Sequence, residues 1–384
     1  MSAAAFRSAF RRSPALPRGF ALAGGDLDRR LYLLPAGIVG GEQAAAAIIG
    51  GHGWPLAGGP LAFTACAVLW REGEENWLAF APYAEVIAWA EAAGDDLARH
   101  CGRLVRRIGA SRGEWAGLSL ERPRLMGIVN ATPDSFSDGG RNLAAGSAIA
   151  NALDMVAAGA DIIDVGGEST RPGAAAVSEE EEKARILPIV AALAARGVTV
   201  SVDTRHSAVM AAALAAGARI INDITALEGE GALQVVAHSS AAVILMHMQG
   251  QPQTMQADPQ YRCAPLDVYD YLHGRVSACE AAGIGRSRLV VDPGIGFGKT
   301  TGHNAQIMAS LPLLHGLGCP LLLAASRKTF VARMSRDEAP DCRLPGTLAA
   351  HLAGLQAGAQ LLRVHDVAET AQAVAVWRAL AQAG

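Results

Sequence analysis

The stretch MGIVNATPDSFSDGG, residues 126–140, decides how the rest of the chain is interpreted. Residues 125–129 form a short apolar run with the length and composition expected of a buried strand. Asn130 follows, and the polar residues 132–135 break the pattern and start a loop that ends in two glycines. α/β folds present reactive groups in this way, on loops that follow the carboxyl ends of parallel strands.

One pattern recurs on the C-terminal side of this stretch. It consists of an Ala-rich helix end, a glycine suited to the C′ position, and an apolar strand that ends in a polar residue. The clearest copies are AAGADIID at 157–164, AAGARIIN at 215–222 and QAGAQLLR at 356–363. Five further apolar runs bring the number of predicted strands to eight, at 125–129, 198–202, 242–246, 289–291 and 321–324.

Eight βα units over residues 124–384 match the length of a (β/α)₈ barrel, which is typically ~250 residues. An open, doubly wound sheet is the alternative, because continuous apolar strands suit both folds. Eight strands rather than five or six favour the barrel. The predicted fold class is therefore α/β, a (β/α)₈ TIM barrel with an additional small N-terminal α+β domain.

The N-terminal third of the chain has a different pattern. We predict a disordered N-terminus at 1–28, a small α+β domain of unknown role at 29–110, a linker at 111–123 and the barrel at 124–384. The small domain contains three predicted strands and three predicted helices, at 31–34, 61–70, 77–80, 42–49, 83–93 and 95–108. It shows no cluster of catalytic residue types. We therefore expect it to pack on the barrel and to serve stability, assembly or partner binding.

Charge and composition argue against several classes of protein. The net charge of −3 and the pI near 6.4 create no positive field for nucleic acid or an anionic membrane. No apolar run approaches the ~18 residues of a membrane helix. The six cysteines show no CxxC spacing, so neither a zinc site nor a disulfide framework is indicated, and a cytoplasmic protein is expected. The early arginines faintly resemble a transit peptide, but a frayed terminus is the simpler interpretation.

The polar residues at the predicted strand ends divide by chemistry. Asp203, Asn222 and Asp292 suit a flat ligand edge that presents several N–H donors, because a carboxylate can accept two of them. A second group suits an oxyanion such as phosphate or pyrophosphate and comprises Asn130, Arg171, Arg363 and His365. The two groups together predict a ligand with a donor-rich heterocycle and a phosphorylated arm.

Structural roles are the alternative for several of these residues. A single aspartate at a strand end is as often a helix cap or an ion-pair partner as a ligand contact. Asp164 and Glu168 are interpreted as partners of nearby arginines and stay outside the catalytic set. His247 is either a hydrogen-bonded wall residue or a proton carrier. The stretch GIGFGKT, residues 294–300, lacks one glycine of a P-loop and is predicted to be a flexible loop whose Phe297 covers a planar ligand.

Taken together and in order, eight motifs resemble those of dihydropteroate synthase, the folate-pathway enzyme. They are NATPDSFSDGG (130–140), DVGGESTRPG (164–173), SVDT (201–204), INDI (221–224), LMHMQG (245–250), DPGIGFGK (292–299), SRK (326–328) and RVHD (363–366). The resemblance covers about two-thirds of the chain and leaves the first 120 residues outside. Small departures, at Ala324 and Thr347, concern packing near the expected aminobenzoate side.

The resemblance implies a barrel that joins 6-hydroxymethyl-7,8-dihydropterin diphosphate to p-aminobenzoate, with Mg²⁺, in a homodimer. The implied catalytic residues are Asp203, Asp292, Lys328 and Arg363. Pterin would be held by Asp203, Asn222, Asp292 and Lys328. Pyrophosphate with Mg²⁺ would be held by Asn130, Arg171, Arg363 and His365. Thr170, Ser326 and neighbouring loop residues would meet p-aminobenzoate, and the other implied substrate contacts are Met246, Phe297 and Arg327. Two mobile loops are implied, at 132–141 and 166–178.

Two other functions are weighed against this one. A corrinoid-linked pterin methyltransferase domain shares the barrel and the pterin aspartates but does not need a pyrophosphate site. A catalytically silent pterin-binding protein would be expected to lose some loop or phosphate residues. The retention of Arg171, residues 326–328, Arg363 and His365 argues against both.

Overall fold

The computed structural model describes residues 10–17, 27–131, 141–168 and 177–383 of the chain. Two sheets organise these residues, a five-stranded sheet near the N-terminus and an eight-stranded parallel sheet between residues 124 and 364. A two-stranded hairpin lies between them in the sequence. None of the helices in these ranges combines the length and the apolar character that crossing a membrane requires.

The N-terminal sheet is mixed and carries three helices. Its strands are β1 (Arg11–Arg12), β2 (Leu31–Gly40), β3 (Trp54–Leu56), β4 (Leu61–Glu72) and β5 (Glu75–Pro82). They lie in the order β1-β5-β4-β2 with β3 beside β4, and every pair except β1–β5 is antiparallel. The helices are α1 (Gly41–Ile49), α2 (Tyr83–Ala92) and α3 (Asp95–Gly109). We call residues 27–109 the N-terminal unit. Within the stretch predicted to be disordered, β1 pairs with β5.

The first half of β2 and most of β4 are buried on both faces, and these stretches are apolar almost without interruption. Alternate residues of a strand point to opposite faces. Tyr32 and Leu34 pack with the barrel helices, whereas Leu31 and Leu33 pack against α2 and α3. The sheet is thus a layer between the barrel and these two helices. The independence of residues 29–110 as a separate domain stays a prediction.

The stretch predicted as a linker contains a tight hairpin, β6 (Glu114–Trp115) paired with β7 (Leu118–Ser119). Trp115 is 1% exposed and lies with Leu120 in the apolar cluster inside the barrel. Its indole Nε1 donates a hydrogen bond to the carbonyl oxygen of Arg288, 2.9 Å away. Arg288 directly precedes a barrel strand, so the hairpin covers the amino-terminal end of the barrel.

Eight parallel strands form the barrel. They are β8 (Arg124–Asn130), β9 (Ile162–Gly166), β10 (Val200–Asp203), β11 (Ile220–Asp223), β12 (Ala242–Met246), β13 (Leu289–Asp292), β14 (Leu322–Leu323) and β15 (Leu361–Val364). Strands β8 to β13 pair in chain order, and β15 pairs with β8 and β14. A parallel bridge between Val291 and Leu321 closes the ring. The predicted barrel is confirmed, and the open sheet is excluded.

The inward-facing side chains form layers whose chemistry changes along each strand. The apolar layer contains, among others, Ile162, Ile220 and Leu361. Two residues later on the same strands, the inward positions are Asp164, Asn222 and Arg363. Because the side-chain period of a strand is two, each strand passes from a core residue to a polar residue without changing face. This change places the polar groups at the carboxyl end of the barrel.

Helices connect the strands. They are α4 (Arg141–Ala157), α5 (Glu179–Ala194), α6 (Ser207–Ala215), α7 (Ala232–Ala237), α8 (Ala264–Ala281), α9 (Thr301–Ala309), α10 (Thr329–Arg333), α11 (Leu344–Gln356) and α12 (Val367–Ala383). The three repeat glycines, Gly159, Gly217 and Gly358, have φ values of +111°, +106° and +86°. Only glycine adopts this region readily, so each glycine ends its helix and turns the chain into the next strand.

Candidate active site

Side chains from five strands gather at the carboxyl end of the barrel, and four of them are polar. Strand register places Asp203, the last residue of β10, beside Asn222 of β11. It likewise places Asp292, the last residue of β13, beside Met246 of β12. Arg363 of β15 reaches across to the aspartate of β10. The predicted pterin group and one member of the predicted phosphate group therefore share one site.

Arg363 is held between two carboxylates. Its Nε donates to Oδ2 of Asp164 over 2.6 Å, and its Nη2 donates to Oδ2 of Asp203 over 2.7 Å. Burial raises the pKa of Asp203 to about 7, with Arg363 opposing the shift and Asp164 adding to it. Burial by itself lowers the pKa of Arg363, but the two carboxylates outweigh it and hold the pKa above its ordinary value. The arginine therefore remains charged, and Asp203 titrates near neutral pH.

Asp164 also orients Asn222. The amide Nδ2 of Asn222 donates to Oδ2 of Asp164 over 3.1 Å. Because an ionised carboxylate only accepts hydrogen bonds, the amide must present its NH₂ group to Asp164. The carbonyl oxygen of Asn222 is then the atom that remains to accept a hydrogen bond from a ligand. Asp164 itself is fully buried.

Asp292 and Lys328 are two further ionisable groups of the site, and each influences the pKa of the other. Oδ1 of Asp292 accepts a hydrogen bond from the backbone N–H of Gly294, 2.7 Å away. Burial raises the pKa of Asp292, and Lys328 opposes that shift. Burial lowers the pKa of Lys328 to about 8, and Asp292 opposes that shift in turn. The Lys328 ammonium donates to the carbonyl oxygen of Ile295 and lies 4.7 Å from the ring centroid of Phe297.

The sequence predicts a flexible glycine loop at residues 293–299, but hydrogen bonds fix its backbone. Nζ of Lys299 lies 2.8 Å from Nδ1 of His247 and within 3.2 Å of the carbonyl oxygens of His247, Gly294 and Phe297. A Cβ atom at Gly294 would lie 1.9 Å from the His247 carbonyl oxygen, so the glycine serves a close approach. Burial lowers the pKa of His247, with Lys299 adding to the shift, which makes this histidine a neutral wall residue.

Hydrogen bonds connect the residues that follow β14 with those that follow β15. Oγ of Ser326 accepts the backbone N–H of His365 at 3.1 Å and lies 2.9 Å from its ring Nδ1. The guanidinium of Arg327 forms a fork with Asp366, with Nε to Oδ2 at 3.0 Å. The backbone N–H of Arg327 donates to Oγ1 of Thr347 over 3.0 Å. Ser326 and His365 therefore lie together, whereas the Arg327 side chain is engaged with Asp366.

Comparison with known proteins agrees with this arrangement. The family model of pterin binding enzymes matches residues 126–365. Dihydropteroate synthase of Neisseria meningitidis serogroup B is 47% identical over 269 residues, which are 68% of this chain and 94% of that protein. The chain belongs to the dihydropteroate synthase family. It is therefore an enzyme of the transferase class, as the resemblance of its motifs implied.

Solved structures of dihydropteroate synthases have the same barrel. The Xanthomonas albilineans enzyme with 4-aminobenzoic acid is 49% identical, with a TM-score of 0.66 over 69% of this chain and 96% of that one. The Xanthomonas albilineans enzyme in complex with 7,8-dihydropteroate is 43% identical, with a TM-score of 0.62 over the same shares of the two chains. The family match begins at residue 126, so the N-terminal unit and the hairpin lie outside it.

Part of the predicted site lies outside the described residues, namely Thr170, Arg171 and most of the loops at 132–141 and 166–178. The start of the second loop is described. Glu168 forms a fork with Arg205, with distances of 3.0 and 3.1 Å. The carbonyl oxygen of Gly167 accepts a hydrogen bond from Nη1 of Arg185 over 2.8 Å. Glu168 is thus the partner of an arginine, as the sequence analysis interpreted it.

The predicted magnesium ligand, Asn130, is the last residue of β8, and it is exposed at the carboxyl end of the barrel. In the described parts of the chain, no group of three or more His, Cys, Asp or Glu side chains could hold a metal ion. Mg²⁺ commonly binds one or two protein oxygens together with substrate phosphates and waters. An exposed amide oxygen fits that mode of binding, and it does not fit a cage made of protein ligands alone.

Sequence reasoning left out two residues that shape the site. Asp164 was interpreted as an arginine partner, and it does contact Arg363, but it also orients Asn222. Its position carried a signal, because it lies two residues after the core residue Ile162, on the inward face of β9. Lys299 had no such signal, since its role depends on carbonyl oxygens of a loop whose conformation the sequence does not reveal.

Proposed function

We propose that the carboxyl end of the barrel joins 6-hydroxymethyl-7,8-dihydropterin diphosphate to p-aminobenzoate and releases pyrophosphate. One observation carries this proposal. Three hydrogen-bond acceptors, Asp203, Asn222 and Asp292, lie at the carboxyl ends of β10, β11 and β13. Two basic residues, Lys328 and Arg363, lie near these acceptors. A site of this kind suits a flat, donor-rich ring that carries an anionic arm.

The pterin ring would occupy the acceptor side of the site. The carboxylates of Asp203 and Asp292 and the carbonyl oxygen of Asn222 would accept its N–H groups. The orientation of the Asn222 amide by Asp164 supports this role. Met246 is buried beside Asp292 and would form part of the apolar wall against the ring.

The diphosphate would lie toward Arg363 and His365. Arg363 lies within β15 and His365 follows that strand directly. An arginine that stays charged matches the oxygens of a phosphate. Arg171 belongs to the same proposed group. Asn130 would hold Mg²⁺ together with the diphosphate, and the bound ion would supply positive charge to the leaving group. The arrangement makes pyrophosphate a better leaving group.

The proposed reaction proceeds by departure and then attack. The bond between the pterin methylene carbon and the diphosphate oxygen breaks, and its electron pair leaves with pyrophosphate. The methylene carbon becomes cationic and shares its charge with the ring, where the carboxylates of Asp203 and Asp292 stabilise it. The lone pair of the arylamine then forms the new C–N bond, and the nitrogen loses a proton to the solvent. No strong general base is needed for this sequence.

The p-aminobenzoate would enter beside Phe297, Ser326 and Lys328. The ring of Phe297 lies against the Lys328 ammonium, and the tied glycine loop holds both in place. Thr170 belongs to the same proposed group. A planar aromatic acid would therefore meet an aromatic face, a hydroxyl and a cation.

The decisive experiment measures pyrophosphate release by the purified protein with both substrates and Mg²⁺. We expect release to require Mg²⁺, to accelerate with p-aminobenzoate and to yield dihydropteroate. Controls omit the metal or the arylamine. A folded protein that binds pterin but forms no product with any arylamine would show that this barrel only binds.

We further propose a cytoplasmic homodimer. The outer face of α12 supports it, since Val376 and Leu380 are 55% and 70% exposed and lie four residues apart on one face of this helix. Exposed large apolar side chains in a contiguous patch indicate a contact surface. Six free cysteines, five of them buried, support a reducing compartment. Sedimentation of the wild type and of Leu380→Glu tests the dimer, and a monomeric wild type would reject it.

A further inference from the structure

Side chains of the N-terminal unit form hydrogen bonds and ion pairs with the first turns of α8. Nη2 of Arg71 donates to Oδ1 of Asp267 and Nη1 donates to Oδ2 of Asp270, each over 2.7 Å. The hydroxyl of Tyr32 donates to the other oxygen of Asp270 over 2.9 Å. The Tyr32 ring also meets the ring of Tyr269 edge to face, with centroids 5.3 Å apart. We call the contact of Arg71 with Asp267 and Asp270 the clasp.

The clasp adjoins a long loop at the carboxyl end of the barrel, residues 247–263, which leads from β12 into α8. Asp267 uses its second oxygen, Oδ2, to accept the backbone N–H of Cys263, the last residue of this loop, at 2.9 Å. The neighbouring Arg262 donates to the carbonyl oxygen of Gly73 in the β4–β5 turn. The N-terminal unit therefore holds the end of the loop at two places.

The same loop holds the glycine loop of the site. The hydroxyl of Tyr261 donates to the carbonyl oxygen of Gly298 over 2.7 Å. Nε2 of Gln256 donates to the carbonyl oxygen of Gly296 over 2.6 Å. Tyr261 is only two residues before Cys263, so the residues that receive the N-terminal unit and those that support the glycine loop are adjacent in the chain.

The glycine loop in turn places two proposed substrate contacts. It contains Phe297, and the carbonyl oxygen of Ile295 accepts a hydrogen bond from Lys328. A Cβ atom at Gly296 would lie 3.2 Å from Cδ of Lys328, so the loop backbone packs directly against the lysine side chain. A shift of this loop would move the Phe297 ring and the Lys328 ammonium together.

We propose that the N-terminal unit acts as a brace, which positions Phe297 and Lys328 through the clasp, the loop at 247–263 and the glycine loop. Arg71 is then a positioning residue that tunes substrate affinity. The substrate part of this inference rests on the proposed function, while the structural part does not. A fork of one arginine between two carboxylates suits such a role, because it specifies geometry as well as providing attraction.

The competing explanation is that the clasp only attaches the N-terminal unit to the barrel and does not position the site. A second arginine contact with the barrel provides a matched control. Nη2 of Arg112 donates to the carbonyl oxygen of His315 over 3.3 Å. His315 lies before β14, near the amino-terminal end of the barrel, and far along the chain from the loop at 247–263. Arg112→Met and Arg71→Met thus make the same chemical change at opposite ends of the barrel. Only Arg71→Met would loosen the glycine loop.

The test compares these two variants with the wild type in the full-length protein. For Arg71→Met we expect the KM values of p-aminobenzoate and the pterin diphosphate to rise about three- to tenfold, with kcat changed less than about twofold, as for a loss of binding in the ground state. Arg71→Lys should recover part of the affinity. Tyr261→Phe should raise both KM values without altering the clasp, and Arg112→Met should leave them unchanged.

Hydrogen exchange in the absence of substrate provides a readout that does not depend on activity. Amides of residues 247–263 and 293–299 should exchange faster in Arg71→Met than in Arg112→Met at equal thermal stability. If Arg71→Met lowers the melting temperature but matches Arg112→Met in exchange and KM, the N-terminal unit only docks and the brace is rejected. If the wild type has no synthase activity but the exchange difference is present, the proposed function fails and the structural brace stands.

Discussion

The guanidinium of Arg363 donates a hydrogen bond from Nη2 to Oδ2 of Asp203 over 2.7 Å. The chemistry of the two side chains had placed them in different groups, one for a phosphate arm and one for a ring. If Arg363 binds the diphosphate as proposed, the incoming diphosphate and Asp203 compete for the same guanidinium.

Arg363→Met tests this competition. Removing a buried charged partner should weaken the pterin diphosphate by roughly 2–5 kcal/mol. A pterin without the diphosphate should also bind less tightly, but by a smaller amount, because Asp164 and Asp203 lose their common partner. Calorimetry with both ligands measures the two losses. Equal losses would remove Arg363 from the phosphate arm.

Asp203 should make the reaction sensitive to acid. Burial raises the pKa of its carboxyl group to about 7, and the proposed role needs the carboxylate. kcat/KM, which reports groups of the free enzyme, should therefore fall as the pH decreases below about 7. In Arg363→Met the fall should begin at higher pH, because Arg363 opposes the rise of this pKa. If the fall of kcat/KM at low pH occurs at the same pH in Arg363→Met and in the wild type, Asp203 is not the group responsible for it.

The Asp203 carboxyl group should affect the stability of the fold in the opposite direction, so that stability falls as the pH rises. With a pKa raised on folding from 3.8 to about 7, Asp203 binds a proton in the folded state between these values. Its contribution to stability is therefore largest below the unfolded pKa and is lost as the pH rises through about 7. Asp203→Asn should remove this part of the pH dependence. Denaturant unfolding from pH 5 to 8 gives the slope, and an unchanged slope would contradict the shift.

Asp164→Ala tests a residue that lies behind the site. The substitution should leave the Asn222 amide without its fixed orientation and Arg363 with one carboxylate. kcat/KM should fall roughly 10- to 100-fold, because hydrogen bonds to charged groups contribute roughly 1.5–3 kcal/mol. Asp161→Ala is a matched control three residues away, where the carboxylate pairs with Arg124 over 2.8 Å at the other end of the strand. It should lower stability and leave KM unchanged.

Most of the barrel could be predicted from the sequence because its strands follow one local rule. A C′ glycine, an apolar run and a polar residue at the strand end recur, and Gly159, Gly217 and Gly358 all adopt the expected left-handed backbone. The polar residue at the end of each run then indicated the site. Asp203 and Asn222 illustrate this, since each follows its run directly and the register places them side by side.

Contacts between distant parts of the chain could not be predicted in this way. Lys299 binds four atoms of His247, Gly294 and Phe297, and no periodicity indicates which loop carbonyls converge on an ammonium. Trp115 follows no strand or helix pattern, so its stretch resembled a linker. Its burial is a tertiary effect, which depends on the open end of a barrel formed by residues far along the chain.

Trp115→Ala tests the role of the hairpin at the amino-terminal end of the barrel. The indole is buried among inward-facing barrel residues and donates a hydrogen bond to the carbonyl oxygen of Arg288, so its removal leaves a cavity and an unpaired acceptor. The free energy of unfolding should fall by about 3–5 kcal/mol, as for other buried tryptophans, while Trp54→Ala, at a partly exposed position, should cost less. The KM values of the remaining folded enzyme should not change, because the site lies at the opposite end. Urea unfolding and steady-state kinetics on the same samples check both expectations. A loss of affinity without a loss of stability would show that the hairpin communicates with the site, contrary to the structural role assigned to it.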